Sequence, residues 1–582
     1  MHRVKTWVEG IKSSKGIELW KRNNTVVVAL LVMTLISVIP VFVPGVVFGH
    51  DVQFHINRIE GMAQGILNGD FLLRIHPDAL NSYGYPFSIY YGNLLLYIPA
   101  FLRVLGFSVS FAYEAYIVII SFWTSLVSYV CLKKIFGRDE IALLGALVYV
   151  TSSYRMVDVF VRAALGEYTA FMYMPIIVLA IYRIYTEDVS DGRRYMKNAI
   201  WLALGMTGLI QCHVLSTEMV AIFIAIVCIL FFKKTIRWRT ILAYLAAVAI
   251  TVLMNLFFLV PLIDYYLNVD VAINAIEELY IRHKGAYLGQ YFMFFENVFG
   301  TINGGIRNRM SLTPGAVLMA TALVWCFYVM KGKKDVFANV MGVLSAIALW
   351  MASNLFPWNS VVRIPLIGEL FIQVQFPFRY LSIGCICLVI LMCRLCKIYE
   401  QGFSENNRKM IYGAIAVVSV VMACYVSSNI GENENDYSQG ITFSPRETAD
   451  VDSCWVGNYD YVRNGTRLDC LDGQVYTQDL TVLEHVQKDR LKLSFYCETE
   501  AVTGYAAVPL FHYKGYKAYS EDGAELLISD GDNNVIRVEI PAHYKGMVYV
   551  QFEEPWYWQL ANVISLITGL GLIMIAMKNP RR

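Results

Sequence analysis

Three side chains that could do chemistry follow the first long apolar block of the sequence at helical spacing. Asp51, His55 and Arg58 stand at positions i, i+4 and i+7, so they form one stripe on a helix. The stripe borders an apolar face, and a polar face lies opposite. The apolar face comprises Val52, Ile56, Ile59, Ala63 and Ile66, and the polar face Gln53, Asn57, Glu60 and Gln64. Such a helix is predicted to lie along a membrane surface with its ionisable stripe towards a cavity between helices. Ionisable groups there are costly unless they are used or paired, and simple pairing of Asp51 and Arg58 with neighbours is the alternative.

A second group of ionisable residues occupies the segment 155–168. Arg155, Asp158 and Arg162 share a helical face, and Glu167 follows at the mouth of the next apolar block. The pattern indicates either a functional cluster or an Asp158–Arg162 pair at i,i+4 spacing, which contributes about 0.2–0.5 kcal/mol.

Further candidates are scattered along the chain. His213 and Glu218 lie in a short turn, where a hydrated turn is the simpler interpretation. Arg379 begins an apolar block and can either extend towards the interface or hold a lipid phosphate. A positive cluster comprises Arg282, His283, Lys284, Arg307 and Arg309, and it indicates either contact with phosphate or an anionic polymer, or a solvated face.

The composition identifies the elements that must position these residues. Of 582 residues, 57% are hydrophobic and 16% charged, and the mean hydropathy is +0.48. A soluble protein carries about 25% charged residues, so a soluble enzyme and a disordered chain are excluded. The net charge of +2 offers no basic field for a polyanion, and nucleic acid is not expected as a partner.

The apolar residues are gathered into twelve blocks long enough to be candidate membrane crossings, of which each needs about 20 residues. They lie near 25–48, 112–132, 141–155, 169–186, 198–214, 216–232, 240–262, 313–330, 336–353, 377–396, 410–427 and 557–577. Lys and Arg concentrate in alternate short loops and at both ends of the chain. This bias predicts a multi-pass protein of the plasma membrane with cytoplasmic termini, an uncleaved first anchor and extracytoplasmic long loops.

The segments between the blocks predict the domain organisation. Residues 1–427 are expected to form a helical transmembrane domain, with an interfacial loop at 49–111 whose apolar stretch 94–105 does not cross. Residues 428–556 alternate apolar and polar positions between turn signals, which predicts an extracytoplasmic antiparallel β domain. Residues 557–582 are the final crossing and a cytoplasmic tail.

Recognised motifs for nucleotide, zinc or serine chemistry are absent from the sequence. It contains no phosphate-binding loop, no His-Glu-x-x-His, no nucleophile elbow and no dinucleotide fingerprint. Cys393 and Cys396 form a lone Cys-x-x-Cys without a second pair. Cys454 and Cys470 could form a disulfide, with Cys497 left over.

Several of these segments together resemble a known family. His50-Asp51-x-x-Phe54-His55-x-x-Arg58, Gly84-Tyr85-Pro86, Arg162-Ala163-Ala164-x-Gly166-Glu167 and Gln375-Phe376-Pro377-Phe378-Arg379 resemble the bacterial "6-pyruvoyl-tetrahydropterin synthase-related" membrane proteins, which are close to the YfhO family. The stretch from Val508 to Tyr519 resembles the YfhO β domain. The match follows the order of the chain over most of its length.

That resemblance implies a fold like that of GT-C glycosyltransferases, which take sugar from a polyprenyl-phosphate donor. It implies Asp51 as the catalytic base and Glu167 as a second acid. By position it implies His55, Arg58, Arg162, Arg379 and His213 around the donor phosphate. The acidic pair of metal-using members is absent, which favours a metal-free mechanism without excluding a divalent metal, and no cofactor is predicted.

The expected partners are the lipid bilayer, the lipid-linked sugar and an envelope acceptor such as a teichoic-acid-like polymer. Two other functions stay open. A flippase for lipid-linked glycans predicts ionisable residues deep within several helices, whereas the charges here sit at the outer edge. A non-catalytic envelope assembly protein predicts loss of acids such as Asp51, which are present.

Overall fold

The computed structural model describes residues 14–43, 46–47, 49–272, 281–295, 310–365, 367–431 and 460–578. Most of its helices lie within the apolar blocks of the sequence, as expected where the backbone must satisfy its own hydrogen bonds, while those at 52–67, 97–104 and 153–160 lie largely outside them. The helices of eight or more residues, with α7 as a shorter companion of α8, are α1 Ser14–Ser37, α2 Val52–Leu67, α3 Tyr97–Val104, α4 Val109–Phe136, α5 Asp139–Val150, α6 Ser153–Phe160, α7 Leu165–Ala170, α8 Met174–Thr186, α9 Gly192–Cys212, α10 Val214–Leu230, α11 Trp238–Asn268, α12 Ala316–Met330, α13 Val336–Ala352, α14 Leu381–Tyr399, α15 Glu405–Gly431 and α16 Trp556–Lys578.

Six helices in the described part of the chain are long and apolar enough to cross a membrane. They are Val109–Phe136, Leu165–Thr186, Trp238–Asn268, Pro377–Gly402, Glu405–Ile430 and Trp556–Ile575. Helices α10, α12 and α13 are apolar but have 15 to 17 residues, fewer than the about 20 that a straight crossing needs. The helices are therefore those of a membrane protein, with six candidate spans where the sequence predicts twelve.

Packing divides the chain into two compact units. The first comprises residues 1–52, 113–247 and 278–442, and the second comprises 53–112, 248–277 and 443–582. The domain boundaries predicted from the sequence separate stretches of different composition, whereas these two units are defined by contacts between residues. The loop after the first apolar block thus packs with the C-terminal region.

The first unit is a bundle around helix α14. This helix packs against α13, α5 and α12 and is buried along most of its length. Its buried residues are mainly Ile, Leu, Val and Cys, while the neighbouring α15 exposes Val417 and Val421. An apolar helix that is buried on all sides belongs at the centre of such a bundle.

The second unit contains the antiparallel β region that the sequence predicts. Its strands are β1 Tyr476–Gln478, β2 Val482–Asp489, β3 Lys492–Glu498, β4 Gly504–Phe511, β5 Tyr516–Ser520, β6 Glu525–Leu526, β7 Ile528–Asp530, β8 Val535–Ile540 and β9 Lys545–Phe552. They form a sheet of order β1-β4-β8-β7 and a sheet of order β2-β3-β9-β5-β6. Inward residues of both sheets, such as Phe495 and Val538, share one apolar core with Tyr85, Phe87, Tyr265 and Trp558 from other segments.

Helix α2 forms where the sequence predicts it, but its polar face is not turned to solvent. Asn57 and Glu60 are buried, and Glu60 pairs with Arg103 at 2.6 Å between Oε2 and Nε. Arg103 belongs to α3, which has eight residues and is too short to span a membrane, as predicted. The spacing of apolar residues predicted the helix correctly, but it could not reveal that a second segment covers the polar side.

Candidate functional site

The segment carrying Asp51 is fixed by backbone pairing with the segment carrying Arg162. The amide of His50 donates to the carbonyl of Val161 at 3.0 Å, and the amide of Asp51 donates to the carbonyl of Arg162 at 2.9 Å. Gly49 permits this approach, because a Cβ there would lie 2.6 Å from the Cβ of Ala163. Two motifs that are more than a hundred residues apart in sequence are thereby joined.

The side chain of Asp51 is exposed, and among the described residues none forms a hydrogen bond or ion pair with its carboxyl group. Protein nevertheless surrounds it on most sides, and this loss of hydration raises the pKa of Asp51. The positive charges of Arg162, Arg379 and His50 act in the opposite direction. Such a carboxylate can accept a proton from an incoming group.

Beside Asp51 runs a chain of four buried charges of alternating sign. Nη1 of Arg162 lies 2.6 Å from Oδ1 of Asp158 and 2.6 Å from Oε2 of Glu167. Nε of Arg379 lies 3.2 Å from the same oxygen of Glu167, and Tyr154 donates to Oε1 of Glu167 at 2.6 Å. The two acids and the two arginines balance, so the chain is neutral without Asp51. The predicted Asp158–Arg162 pair exists, but it is buried rather than solvated.

Both arginines have N–H groups that donate no hydrogen bond to the described residues. The hydrogen bonds of Arg162 all leave from Nη1, and those of Arg379 from its Nη1, which donates to the Val374 carbonyl at 2.9 Å and to Gln375. Within the described residues, Nη2 of either arginine donates no hydrogen bond. A guanidinium offers five donors, so an anion could bind here without breaking the existing pairs.

Aromatic rings of the motif 375–379 contact the cations of the site. Cζ of Arg162 lies 5.1 Å from the ring centre of Phe378, and Cζ of Arg379 lies 5.1 Å from that of Phe376. Lys284 approaches Phe376 with its Nζ at 4.8 Å, and the two rings stack 5.3 Å apart. Cation–π contacts stabilise neighbouring positive charges that would otherwise repel.

His213 joins this site through the small residue Gly166. A Cβ at Gly166 would lie 2.5 Å from the carbonyl oxygen of Cys212, so α7 approaches the turn before α10 closely. The Nδ1 of His213 accepts a hydrogen bond from the amide of Ser216 and caps α10. His213 and Ser216 are buried, whereas Glu218 is half-buried. The cap gives His213 a structural role, and its predicted contact with a donor phosphate stays a prediction.

His55 and Arg58 belong to the second unit, where both are buried. Nη1 of Arg58 lies 3.2 Å from Nδ1 of His55, and Nη2 donates to the carbonyl of Gly92 at 3.1 Å and to Asn93 at 2.7 Å. The guanidinium also lies 4.6 Å from the ring centre of Tyr91. The predicted stripe is thus divided, because Asp51 belongs to the first unit and His55 and Arg58 to the second. The predicted contacts of His55 and Arg58 with the phosphate of the sugar donor stay predictions.

Other predictions fall outside this site or outside the described residues. Arg307, Arg309 and Cys454 lie in undescribed segments, and so does the predicted Cys454–Cys470 disulfide. Cys393 and Cys396 are free thiols. Across the described part of the chain, no group of three or more His, Cys, Asp or Glu residues is placed to hold a metal ion.

The sequence pattern did not single out Tyr154 or Gly49 as parts of the site, and Phe378 was named only within the motif 375–379. Tyr154 stands next to Arg155 in the sequence, and Gly49 precedes His50 and Asp51. All three lie close in sequence to the ionisable motifs. This proximity indicates a common site only when the backbone pairing of 50–51 with 161–162 is known.

Comparisons with known proteins give distant similarities. An uncharacterized protein of Lactococcus lactis subsp. cremoris (strain MG1363) is 19% identical over 622 aligned positions, covering 97% of each chain. No family model matches the sequence. The YfhO resemblance therefore stays a resemblance.

Among solved structures, the chain is similar to the Archaeoglobus fulgidus oligosaccharyltransferase. The apo form aligns with a TM-score of 0.40 at 14% identity, covering 74% of this chain and 61% of that chain. The complex with zinc and sulfate aligns with a TM-score of 0.38 at 15% identity, covering 72% and 58%. This chain thus spans about three fifths of the length of those structures, and scores of this size do not establish a common fold.

Proposed function

We propose that this protein is a membrane glycosyltransferase that moves a sugar from a polyprenyl-phosphate donor to an extracytoplasmic envelope acceptor. The observation that carries the proposal is the exposed carboxylate of Asp51, which forms no ion pair within the described residues. Its backbone is joined to Arg162, and the charge of Arg379 acts on it. A base and two guanidiniums with reserve donors are the groups that such a transfer needs.

In the proposed reaction Asp51 accepts the proton of an acceptor hydroxyl. The hydroxyl oxygen forms a bond to the anomeric carbon, and the bond from that carbon to the phosphate oxygen breaks. The electron pair leaves with the lipid phosphate, whose growing negative charge Arg162 and Arg379 stabilise. Glu167 holds both arginines in place and helps to balance their charge, so with Asp51 as the base its role is positioning.

The membrane arrangement belongs to the same proposal. Twelve crossings with both termini in the cytoplasm would put the segment 49–51 on the outer side, where lipid-linked sugars meet envelope polymers. The alternating Lys and Arg loops support this arrangement.

Transfer of radiolabelled sugar from an extract of undecaprenyl-phosphate sugars tests the proposal. We expect the purified wild type to transfer sugar and Asp51→Asn to lose at least about 100-fold of that rate, the usual size of a general-base effect. The rate should fall as the pH drops through the raised pKa of Asp51, because the protonated carboxyl cannot accept a proton. That inflection should lie above the ordinary range of an aspartate.

Other outcomes point elsewhere. Equal rates for the wild type and a folded Asp51→Asn variant would remove Asp51 from the reaction and leave Glu167 as the next acid to test. Donor binding without transfer of any sugar would contradict the enzyme and favour a flippase or an assembly protein.

A further inference from the structure

The outward face of the five-stranded sheet carries three tyrosines on three adjacent strands. In the register of β3, β9 and β5, Tyr549 stands opposite Ser494 on one side and Tyr519 on the other. Tyr496 stands opposite Met547, two positions along β9, on the same face. Strand spacing of about 4.8 Å and a rise of about 3.4 Å per residue give the three tyrosines a span of about 12 Å.

These rings are held at the surface rather than packed inside. Tyr549 is 43% exposed, while the alternate residues Val548 and Val550 are buried in the core between the sheets. The hydroxyl of Tyr496 donates to Glu498 at 2.5 Å, and that of Tyr519 contacts both carboxylate oxygens of Glu553 at 3.0 Å. The hydroxyl of Tyr549 makes no hydrogen bond to any residue the structure describes. The result is a fixed aromatic platform with one open donor.

The charges around this platform pair with one another. Nζ of Lys545 lies 2.9 Å from Glu498, and Nζ of Lys517 lies 3.3 Å from Glu525. The side-chain amide of Gln551 donates to Glu553 at 2.7 Å. The face therefore offers aromatic rings, hydroxyls, an amide and balanced charges, and no surplus of positive charge.

This chemistry separates the classes of partner. A polyanion such as a nucleic acid or a polyphosphate needs several unpaired Lys and Arg side chains, whereas Lys492 is the one lysine of β3, β5 and β9 without an ion pair among the described residues. Tyrosine also occurs at membrane interfaces, but a membrane-binding face additionally presents aliphatic side chains beside unpaired basic residues, whereas serine, glutamine and carboxylates lie next to these tyrosines. A neutral sugar chain presents C–H faces that pack on aromatic rings and hydroxyls that exchange hydrogen bonds with amides and carboxylates.

We propose that the outward face of the five-stranded sheet binds a neutral glycan chain through Tyr496, Tyr549 and Tyr519. Glycan binding at this face does not depend on the proposed transferase activity. Its role as the acceptor site rests on the proposed glycosyl transfer, for which it would select an uncharged polysaccharide over a teichoic-acid-like polyanion.

Equilibrium binding to the full chain in detergent tests this inference. The probes are fluorescently labelled neutral oligosaccharides, namely chito-oligosaccharides and β-glucan oligosaccharides, with polyphosphate and anionic lipid vesicles as alternatives. We expect a neutral oligosaccharide to bind, and we expect Tyr549→Ala and Tyr519→Ala each to weaken it roughly tenfold, the size typical of one lost stacking ring. Tyr549→Phe should retain most of the affinity, because it keeps the ring.

The control is Tyr476→Ala, which removes an exposed tyrosine from the edge of the other sheet and should leave binding unchanged. Failure of every neutral oligosaccharide to bind would overturn the inference. Binding of polyphosphate or vesicles that depends on Tyr549 would also overturn it, in favour of a polyanion or membrane contact. Measuring transfer in parallel separates the two proposals: if the transferase proposal fails, glycan binding persists, and if this one fails, transfer persists in Tyr549→Ala.

Discussion

At the scale of single residues, Arg162 is the group on which the buried charges of the first unit depend. It pairs with both Asp158 and Glu167 at 2.6 Å, and all three are buried. Its removal leaves Asp158 without an ion-pair partner among the described residues and Glu167 with Arg379 alone. We expect Arg162→Leu to lower the free energy of unfolding by about 3–5 kcal/mol, as for other buried pairs that lose one partner.

Thermal unfolding in detergent measures this loss. Arg363→Leu is the matched control, since Arg363 is exposed and should change stability by less than about 0.5 kcal/mol. Similar midpoints for the two variants would show that the alternating charge chain contributes nothing to folding.

Gly49 gives a second prediction at the same scale. Gly49→Ala places a methyl group 2.6 Å from the Cβ of Ala163 and 2.9 Å from the carbonyl of Phe160, so the backbone pairing of 50–51 with 161–162 must shift. We expect a loss of about 1–3 kcal/mol in stability, typical of overpacking. Sugar transfer should fall at least tenfold, because Asp51 moves with the backbone.

The control for this change is Gly413→Ala in α15. No atom lies within 4 Å of a Cβ there, and alanine favours a helix interior, so stability should stay or rise by up to about 1 kcal/mol. Normal transfer by Gly49→Ala would show that the pairing of the two motifs does not position Asp51.

At the scale of elements, the hairpin β2–β3 is joined to a left-handed turn at 80–82. Leu80, Asn81 and Ser82 all have φ between 53° and 63°, which is costly for residues other than glycine. Nζ of Lys488 donates to the carbonyls of Ser82 at 2.6 Å and Pro509 at 2.7 Å. One ammonium group thereby holds the turn against β4.

This ammonium makes stability depend on alkaline pH. Burial lowers the pKa of Lys488 to about 8, below its value in the unfolded chain. Below pH 8 both states are protonated and the full cost of burying the charge applies. Between pH 8 and about 10.5 the folded state loses its proton first, so the free energy of unfolding should rise with pH.

Unfolding midpoints across pH 7 to about 10 measure the effect. Lys488→Met should flatten the rise, whereas Lys492→Met, at an exposed position on β3, should leave it as in the wild type. Equal slopes for all three proteins would contradict a buried Lys488.

The elements also show what the sequence could predict. Alternation identified β3 and β8, and apolar blocks located the long helices, because both patterns depend on local periodicity. Helix α2 was predicted, but the partner of its polar face was not, because Arg103 stands 43 residues from Glu60 and no local pattern connects them. For the same reason Asp51 and Arg162 were found as separate candidates, and their backbone pairing was not.

At the scale of the whole molecule, the proposed twelve crossings predict which surfaces face outward. In a variant lacking native cysteines, Val502→Cys in the β region should react with a membrane-impermeant maleimide on intact cells. Gly332→Cys, in the turn after α12, should react only after the cells are opened. Both positions are exposed, so reactivity depends on the side of the membrane. Labelling of both in intact cells would refute the orientation.

The second unit draws its parts from three distant stretches of the chain, and this has a consequence for synthesis. Residues 75–89 share a core with Phe495, Val548 and Trp558, which the ribosome makes more than four hundred residues later. The aromatic side chains of residues 75–89 therefore stay without their core partners until translation is nearly finished. A frameshift near residue 480 would thus leave the earliest loop without its partners, and quality-control proteases would meet it as an unfolded segment.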